Sequence, residues 1–372
     1  MSKKGENIYK RKDNRWEGRY IRDHRPDGSP RYGYCYGRTY QEVRQKVSQA
    51  KADLLAGKTA CADTHRYPLA YYCEQWLQIN RSKVKESTYV KYAATIEKHI
   101  KPGLGSCYVQ TLTSSAIEAF SHSLLQEKEL APKTVKDILI TLHTIIKFAG
   151  KQISPSVPMI EIVYPKVPKN QMRVLTNHEQ SLFVQYLLQD TDACKFGVLL
   201  ALLTGMRIGE VCALRWGDVS LTEGTVRVCA TMQRLQDLSA DGEQRTKVII
   251  TEPKSDTSSR IIPLTEYAVK LCASRQCNDP NAFVLTGTNQ YIEPRTLQYR
   301  LGRYTRDCGL EGVHFHTLRH TFATRCVEVD FEIKSLSEIL GHSSPQITLE
   351  RYVHASLALK RDNMRKLSAI GL

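Results

Sequence analysis

Six residues in the second half of the chain have side chains that could together act on one phosphodiester. They are two arginines, a lysine, two histidines and a late tyrosine: Arg207, Lys254, His316, Arg319, His342 and Tyr352. Arginine guanidiniums bind non-bridging phosphate oxygens through paired hydrogen bonds, and they neutralise the charge of a pentavalent phosphorus. A tyrosine hydroxyl can attack the phosphorus if another group takes its proton, and a lysine can protonate the departing sugar oxygen. These residue types therefore suit phosphodiester chemistry without a metal.

The first arginine has an acidic neighbour at helical spacing. Arg207 and Glu210 both belong to Thr204-Gly-Met-Arg-Ile-Gly-Glu-Val211. Side chains three residues apart meet on a helix, so Glu210 is predicted to hold the guanidinium of Arg207 in place. A salt bridge on a solvated helix surface is the alternative interpretation.

The lysine belongs to a polar segment, 251–260, that lies between two apolar runs. This pattern predicts Lys254 at the tip of a β-hairpin. A lysine in a turn is usually solvated, although a turn can also present an ammonium group as a proton donor. The earlier polar loop Leu235–Gln244 is predicted to have no catalytic consequence.

The histidines lie in two short motifs, His316-Thr-Leu-Arg-His320 and Ile339-Leu-Gly-His-Ser-Ser344. The second motif predicts His342 in a loop near a helix N-terminus, where anions bind. His316 and His320 could also hold zinc, but Thr317 stands where a zinc-protease helix has its glutamate base, and no third ligand is evident. We therefore expect no metal and no other cofactor.

Composition indicates a folded, basic protein. The 372 residues suffice for two or three domains, and 53 Lys and Arg against 38 Asp and Glu give a net charge of +15. Such a charge favours nucleic acid as the partner, although solubility alone can explain a high pI. The eleven cysteines are scattered and include no C-x-x-C pair, which favours reduced thiols. We expect a cytoplasmic protein with neither a membrane anchor nor an export signal.

Three regions with different patterns must position these residues. Residues 1–60 carry 15 Lys and Arg against 7 Asp and Glu, and they predict two or three short strands followed by a helix from Tyr40 to Leu55 with Thr39 as its N-cap. From 67 to 150 the apolar period is helical, in four segments: Ala70–Gln78, Thr88–His99, Ser114–Gln126 and Pro132–Phe148.

A proline-containing segment, 151–171, is interpreted as an extended linker and a domain boundary. After it, Thr176 and Glu179 form a predicted capping box, and helices are mixed with one β region, Thr225–Ile262. We therefore expect domains at 1–60, 67–150 and 173–372.

In the order of its motifs, the chain resembles the tyrosine recombinase (phage integrase) family. The motifs are T-G-M-R-I-G-E, the hairpin lysine, H-T-L-R-H, L-G-H-S and the late R-Y. They span residues 204–352, about 40% of the chain, and are specific jointly although each alone is weak. The upstream organisation is similar to that of integrases of conjugative transposons and temperate phages. The resemblance implies a multidomain α+β fold: a three-stranded sheet plus helix, a helical core-binding domain, and a mainly helical catalytic domain with a small antiparallel sheet.

The resemblance also implies roles for the residues that contact the phosphate. Arg207 and Arg319 would clamp its oxygens, and His342 would add a third hydrogen bond. Glu210 would orient Arg207. The chain departs from the family pattern at none of these positions.

The remaining roles concern the transfer of protons and of the phosphoryl group. Tyr352 would be the nucleophile that forms a 3′-phosphotyrosyl bond and releases a 5′ hydroxyl. Lys254 would be the general acid for the 5′ oxygen, and His316 would help to manage the proton of the nucleophile.

As an expectation, the resemblance makes the protein an integrase that inserts and excises a mobile element. It would bind double-stranded DNA at core and arm-type attachment sites as a homotetramer, with an excisionase or a host DNA-bending protein as a further partner. Residues 1–60 would form the arm-binding module, with Arg and Tyr side chains entering a groove. Phosphate binding without sequence preference, or a merely solvated face, is the alternative for this module.

Other functions are compatible with parts of the sequence. A chromosome-dimer resolvase or an inversion enzyme would typically lack the basic N-terminal module, and a type IB topoisomerase would relax supercoils without strand exchange. From a different class, a DNA-binding regulator or architectural protein could carry a silent recombinase-like site, but the complete set of six residues argues against decay. The amphipathic tail after Tyr352 could pack on a neighbouring subunit or on its own core.

Overall fold

The fold combines helices with small antiparallel sheets, as predicted. A computed structural model describes residues 7–24, 29–55, 67–153, 160–168, 172–238, 246–251 and 259–352. The chain divides into two units, Met1–Val167 and Pro168–Leu372. Within the described ranges, no helix has both the length and the apolar character needed to span a bilayer.

The first unit begins with a three-stranded antiparallel sheet, in the order β1 (Ile8–Lys10), β2 (Trp16–His24) and β3 (Pro30–Gly37). Helix α1 (Tyr40–Leu55) follows, and the hydroxyl of Thr39 accepts a hydrogen bond from the amide of Glu42 at 3.2 Å. One face of the sheet packs on α1 through a small core that contains Ile8, Val43 and Val47. The predicted sheet, helix and N-cap are thus confirmed.

Residues 69–152 of the first unit are mainly helical and pack around one apolar core. Its helices are α2 (Leu69–Asn80), α3 (Glu86–Thr95) with a π-helical continuation (Ile96–Ile100), α4 (Lys101–Leu104), α5 (Ser114–Gln126) and α6 (Pro132–Gln152), with a 3₁₀ turn at Val109–Thr111. The long helix α6 buries an apolar stripe that includes Val135, Leu139, Leu142 and Ile146, at the spacing of one helix face.

The second unit is built around the apolar helix α8. The unit begins with α7 (Asn177–Leu188), α8 (Ala193–Thr204) and α9 (Ile208–Ala213), followed by a 3₁₀ turn (Trp216–Asp218). The predicted capping box of Thr176 and Glu179 at the start of α7 is confirmed. Apart from Lys195 and Thr204, the residues of α8 are apolar, and nine of its twelve residues are buried.

The strands of the second unit form two small antiparallel sheets. One has the order β4 (Val219–Ser220), β5 (Thr225–Val228) and β8 (Arg260–Pro263), and the other pairs β6 (Thr231–Gln236) with β7 (Thr246–Thr251). Five helices follow in the described part of the unit: α10 (Glu266–Ala273), α11 (Pro294–Asp307), α12 (Phe315–Glu328), α13 (Ile333–Leu340) and α14 (Pro345–Tyr352). Helix α12 packs on α8, α13 and α14.

The predicted hairpin around Lys254 is wrong in its strand pairing. The strand before Lys254, β7, pairs with β6, whereas the strand after it, β8, pairs with β5 in the other sheet. Lys254 itself lies outside the described residues. The polar loop predicted from Leu235 begins inside strand β6, and residues 239–244 of that loop also lie outside the described part.

Candidate active site

Three arginine side chains meet at the C-terminal end of α13. There, three consecutive backbone carbonyls each accept a hydrogen bond from a different guanidinium. The pairs are Arg260 Nε to Ile339 (2.5 Å), Arg319 Nη2 to Leu340 (2.5 Å) and Arg207 Nη2 to Gly341 (3.1 Å). The last carbonyls of a helix lack partners within the helix and form the negative end of its dipole, so cations are stabilised there. The end of α13 therefore fixes three guanidiniums relative to one another.

Gly341 shapes this helix end. It has a left-handed conformation, with φ of 64°, and its amide donates to the carbonyl of Glu338 while the amide of His342 donates to that of Ser337. These two bonds satisfy the preceding carbonyls and leave the next three for the arginines. A Cβ atom at Gly341 would also lie 3.1 Å from Cδ of Arg260. Glycine is therefore required here for both conformation and space.

Glu210 is buried between two of the arginines, with 4% of its surface exposed. Its carboxylate accepts from Nη1 of Arg207 and from Nη2 of Arg260, each at 2.8 Å. Burial alone would raise the pKa of Glu210, but the hydrogen bonds and charges of these arginines hold it below its ordinary value. The interpretation of this pair as a solvated surface salt bridge is therefore wrong.

Arg207 precedes helix α9 and does not lie within it. Its backbone is extended, with φ of −75° and ψ of 151°, and its amide donates to Glu210 at 2.8 Å. Glu210 thus caps α9 and binds the guanidinium of Arg207 with the same carboxylate. The predicted contact is present, but the cap of the helix, not its regular spacing, produces it.

Arg319 is almost completely buried on α12. Its Nη1 donates to the carbonyl of Gly205 at 2.9 Å, and its Nη2 donates to Leu340. Burial and the nearby charge of Arg207 lower the pKa of Arg319 to about 9, which still leaves it protonated at neutral pH. Arg207 and Arg319 each keep further N–H groups that these hydrogen bonds do not use, because a guanidinium has five.

A cleft of about 280 Å³ opens beside these arginines. Arg207, His316, Arg319 and His342 are among the residues that line it, together with Arg351. The structure thus brings four of the six predicted site residues to one cleft. Its arginines make it suitable for an anion such as a phosphate.

Tyr352, the fifth predicted residue, is close to this cleft but is not among the residues that line it. Its side chain is buried, with 7% of the residue exposed, and its ring lies parallel to that of His342 with 6.2 Å between the centroids. Its hydroxyl forms a 2.9 Å hydrogen bond with Nδ1 of His320. Burial raises the pKa of Tyr352, although Arg319 and Arg351 oppose the shift.

The three histidines of this region are held in the neutral form. Burial lowers the pKa of His320 to about 4 and that of His342 to about 3, and it lowers the pKa of His316 as well. Nearby positive charge acts in the same direction. At neutral pH each ring therefore has one N–H donor and one acceptor nitrogen.

These shifts predict that the second unit loses stability as the pH falls from about 6.5 towards 4. In that range the unfolded histidines bind protons near their ordinary pKa of 6.5 while His320 and His342 stay neutral in the fold, so protonation favours the unfolded state. Above pH 6.5 this contribution vanishes. We expect His342→Gln to show a smaller drop in melting temperature between pH 7.5 and 5 than wild type, measured by calorimetry.

The exposed His178 on α7 provides the matched control for this experiment. His178→Gln should keep the pH dependence of wild type. Equal pH dependence in His342→Gln and wild type would contradict the role given to buried neutral histidines.

Sequence reasoning missed two residues of this site, Arg260 and His320. Arg260 shares the buried face of β8 with Ile262, and an arginine at an inward position of a strand was the available signal. His320 was considered only as a zinc ligand with His316. Within the described ranges, no three His, Cys, Asp or Glu residues are grouped so that they could hold a metal.

Two family models match the chain. The model of the phage integrase family matches residues 173–358, and that of the phage integrase N-terminal SAM-like domain matches residues 69–125. A tyrosine recombinase XerC-like protein of Caldanaerobacter subterraneus subsp. tengcongensis is 25% identical over 343 residues, which cover 86% of this chain and 87% of that protein.

Solved structures share the fold. The Tn1549 transposon integrase in complex with a circular intermediate DNA is similar with a TM-score of 0.67 and 20% identity, over 81% of this chain and 99% of that one. A lambda integrase tetramer bound to a Holliday junction is similar with a TM-score of 0.57 and 18% identity, over 92% and 94%. Because the phage integrase model alone covers half of the 372 residues, the chain belongs to the phage integrase family and is a site-specific tyrosine recombinase.

Proposed function

We propose that this protein cleaves and rejoins DNA through a 3′-phosphotyrosyl intermediate, and that it thereby integrates and excises a mobile element. The observation that carries the proposal is the arrangement at the end of α13, where Arg207 and Arg319 are fixed at one cleft and Tyr352 lies close by. The arrangement offers a phosphate both a clamp and a nucleophile.

The clamp acts on the non-bridging oxygens of the scissile phosphate. Arg207 and Arg319 donate to these oxygens with the N–H groups that α13 leaves free, and His342 adds a neutral donor. Because Glu210 and the helix end hold the guanidiniums in place before the DNA binds, little reorganisation accompanies the increase of charge on the phosphate.

Cleavage exchanges one phosphoester for another. The hydroxyl oxygen of Tyr352 bonds to the phosphorus and passes its proton to a neutral histidine of the site, the bond from phosphorus to the 5′ oxygen breaks, and that oxygen is protonated by Lys254. A 5′ hydroxyl from a second duplex then attacks the phosphotyrosine and restores a phosphodiester. No ATP is required, because the covalent intermediate conserves the energy of the cleaved bond.

The partners follow from the same proposal. The protein binds double-stranded DNA at core sites, and four copies of the chain exchange strands in pairs. The similar fold of the lambda integrase, which forms a tetramer on a Holliday junction, supports this assembly. An excisionase or a host DNA-bending protein completes the set for excision. Residues 67–150 form the core-binding domain and residues 173–372 the catalytic domain.

The basic sheet at the N-terminus supports a mobile-element integrase rather than a resolvase. The face of the sheet opposite α1 exposes Tyr9, Tyr34 and Tyr36, and the guanidinium of Arg19 lies over the ring of Tyr32 at 3.5 Å. Aromatic and cationic groups on a β-sheet suit contacts with a DNA groove. We infer that residues 1–60 bind arm-type sites.

The arm-binding role predicts that Arg19→Ala weakens binding to arm DNA roughly tenfold, since one cationic contact with a base or phosphate is lost. Fluorescence anisotropy with duplexes from the flanks of the element measures it. Cleavage of a short core duplex should be unchanged. Lys51→Ala removes the same charge from the exposed side of α1 and should bind arm DNA like wild type. If both variants lose the same affinity for arm DNA, Arg19 makes no specific contact and acts only by non-specific charge attraction.

A two-site recombination assay tests the proposed function as a whole. One plasmid carries the joined ends of the element and a second carries its target site. Recombinant plasmids are the expected product. Relaxed plasmids without recombinants would instead indicate a topoisomerase.

A further inference from the structure

The hydroxyl of Tyr352 has a specific partner, and this partner is not His316. Nδ1 of His320 lies 2.9 Å from the hydroxyl oxygen, and both residues are buried. His316 lies one helical turn earlier, with 5.5 Å between its ring centroid and that of His320. His316 lines the cleft, whereas His320 contacts the tyrosine.

We propose that His320 is the positioning residue of the nucleophile: its Nδ1 fixes the hydroxyl of Tyr352 relative to the phosphate clamp. This inference rests on the proposed function, in which Tyr352 attacks the phosphorus.

The position of His320 in the chain supports this role. His320 directly follows Arg319 on α12, so one rigid helix carries both a clamp for the phosphate and a holder for the nucleophile. Arg319 is itself bound at the end of α13, and α14, which carries Tyr352, packs on both α12 and α13. The distance between attacking oxygen and phosphorus is thereby determined by packed helices. A displacement of about 1 Å can cost two orders of magnitude in rate.

The chemistry of the histidine fits the same role. The ring centroids of His316 and Tyr352 lie 5.5 Å and 5.6 Å from that of His320. Burial, together with His316 and the positive charges of Arg351 and Arg319, lowers the pKa of His320 and keeps its imidazole neutral. A neutral Nδ1 can accept the hydrogen of the phenol. Arg319 acts on the same phenol oxygen through a hydrogen bond and through its charge, and both oppose the rise in the pKa of Tyr352.

A pair of variants separates the hydrogen bond from packing. His320→Phe keeps a ring of similar size without a polar atom, whereas His320→Asn keeps an amide near the position of Nδ1. In single-turnover cleavage of a nicked core duplex, we expect His320→Phe to be roughly 10- to 100-fold slower than wild type, with unchanged DNA affinity. His320→Asn should stay within severalfold of wild type.

A second substrate distinguishes positioning from proton donation. A duplex with sulfur in place of the bridging 5′ oxygen has a leaving group that needs no proton, so it should restore cleavage by Lys254→Ala but not by His320→Phe. This difference is a readout that a general loss of folding would not produce. Melting temperatures of both His320 variants provide the folding control.

Three results would overturn the inference: cleavage by His320→Phe at the wild-type rate or faster, His320→Asn as slow as His320→Phe, or rescue of His320→Phe by the sulfur substrate. Each leaves the proposed function intact as long as the wild type forms covalent adducts. Failure of the wild type itself to form adducts would instead overturn the proposed function, and this inference with it.

Discussion

Tyr352→Phe will form no protein-linked DNA, yet it will bind core DNA within a few fold of wild type. The substitution removes one hydroxyl and leaves the buried ring beside His342. The hydrogen bond to His320 contributes about 1 kcal/mol to stability, so the fold will persist. Denaturing gels of labelled duplexes measure the adduct, and anisotropy measures binding.

Tyr304→Phe is the matched control for this experiment. It removes another phenol hydroxyl in the same unit, one that donates to Asp192 at 3.0 Å and lies on α11. Its adduct yield should equal that of wild type. Adducts formed by Tyr352→Phe, or a tenfold loss of its DNA binding, would contradict the role of Tyr352.

Arg207→Ala will slow cleavage by a factor on the order of 10² to 10³, the cost of removing one preorganised donor to a transition state. The same substitution will lower the free energy of unfolding by much less than it raises the activation free energy of cleavage. The side chain of Arg207 is one-third exposed, and Glu210 keeps its buried partner Arg260 when Arg207 is lost. Single-turnover cleavage rates and urea unfolding of the same preparations measure both effects.

The contrast with two other arginines sharpens this prediction. Arg319→Ala should slow cleavage to a similar extent as Arg207→Ala. It should also be less stable than Arg207→Ala, because the buried carbonyls of Gly205 and Leu340 lose their hydrogen-bond donor. Arg227→Ala breaks an exposed ion pair with Asp218 and should cleave like wild type. If Arg207→Ala cleaves as fast as Arg227→Ala, Arg207 does not clamp the phosphate.

Much of the fold was predictable because its signals are local. The capping box of Thr176 and Glu179 and the N-cap at Thr39 depend on residues three positions apart, and both are present. Strand pairing is not local. The apolar runs on either side of Lys254 were recognised as β structure, but alternation does not specify which strand is the partner.

The candidate site shows the same limit. The contact of Arg207 with Glu210 was predicted, although the cap of α9 rather than helical spacing produces it. Strand alternation could indicate that Arg260 is buried, but not that it reaches Glu210 across 50 residues. The partner of Tyr352 is separated from it by 32 residues and is chosen by the packing of α14 on α12. The family resemblance implies that His316 helps to manage the proton of the nucleophile, whereas the residue that contacts the hydroxyl of Tyr352 is His320.

Identification of the residue and the DNA end that are joined tests the phosphotyrosyl intermediate directly. Wild-type protein and Tyr352→Phe are incubated with labelled nicked duplexes from the ends of the element, and the adduct is digested with trypsin and nuclease. We predict, with wild type only, a 3′-phosphoryl nucleotide on the tryptic peptide of residues 352–360, in which Tyr352 is the sole tyrosine. Specific DNA binding without any adduct would contradict the account and indicate a DNA-binding regulator with a silent site.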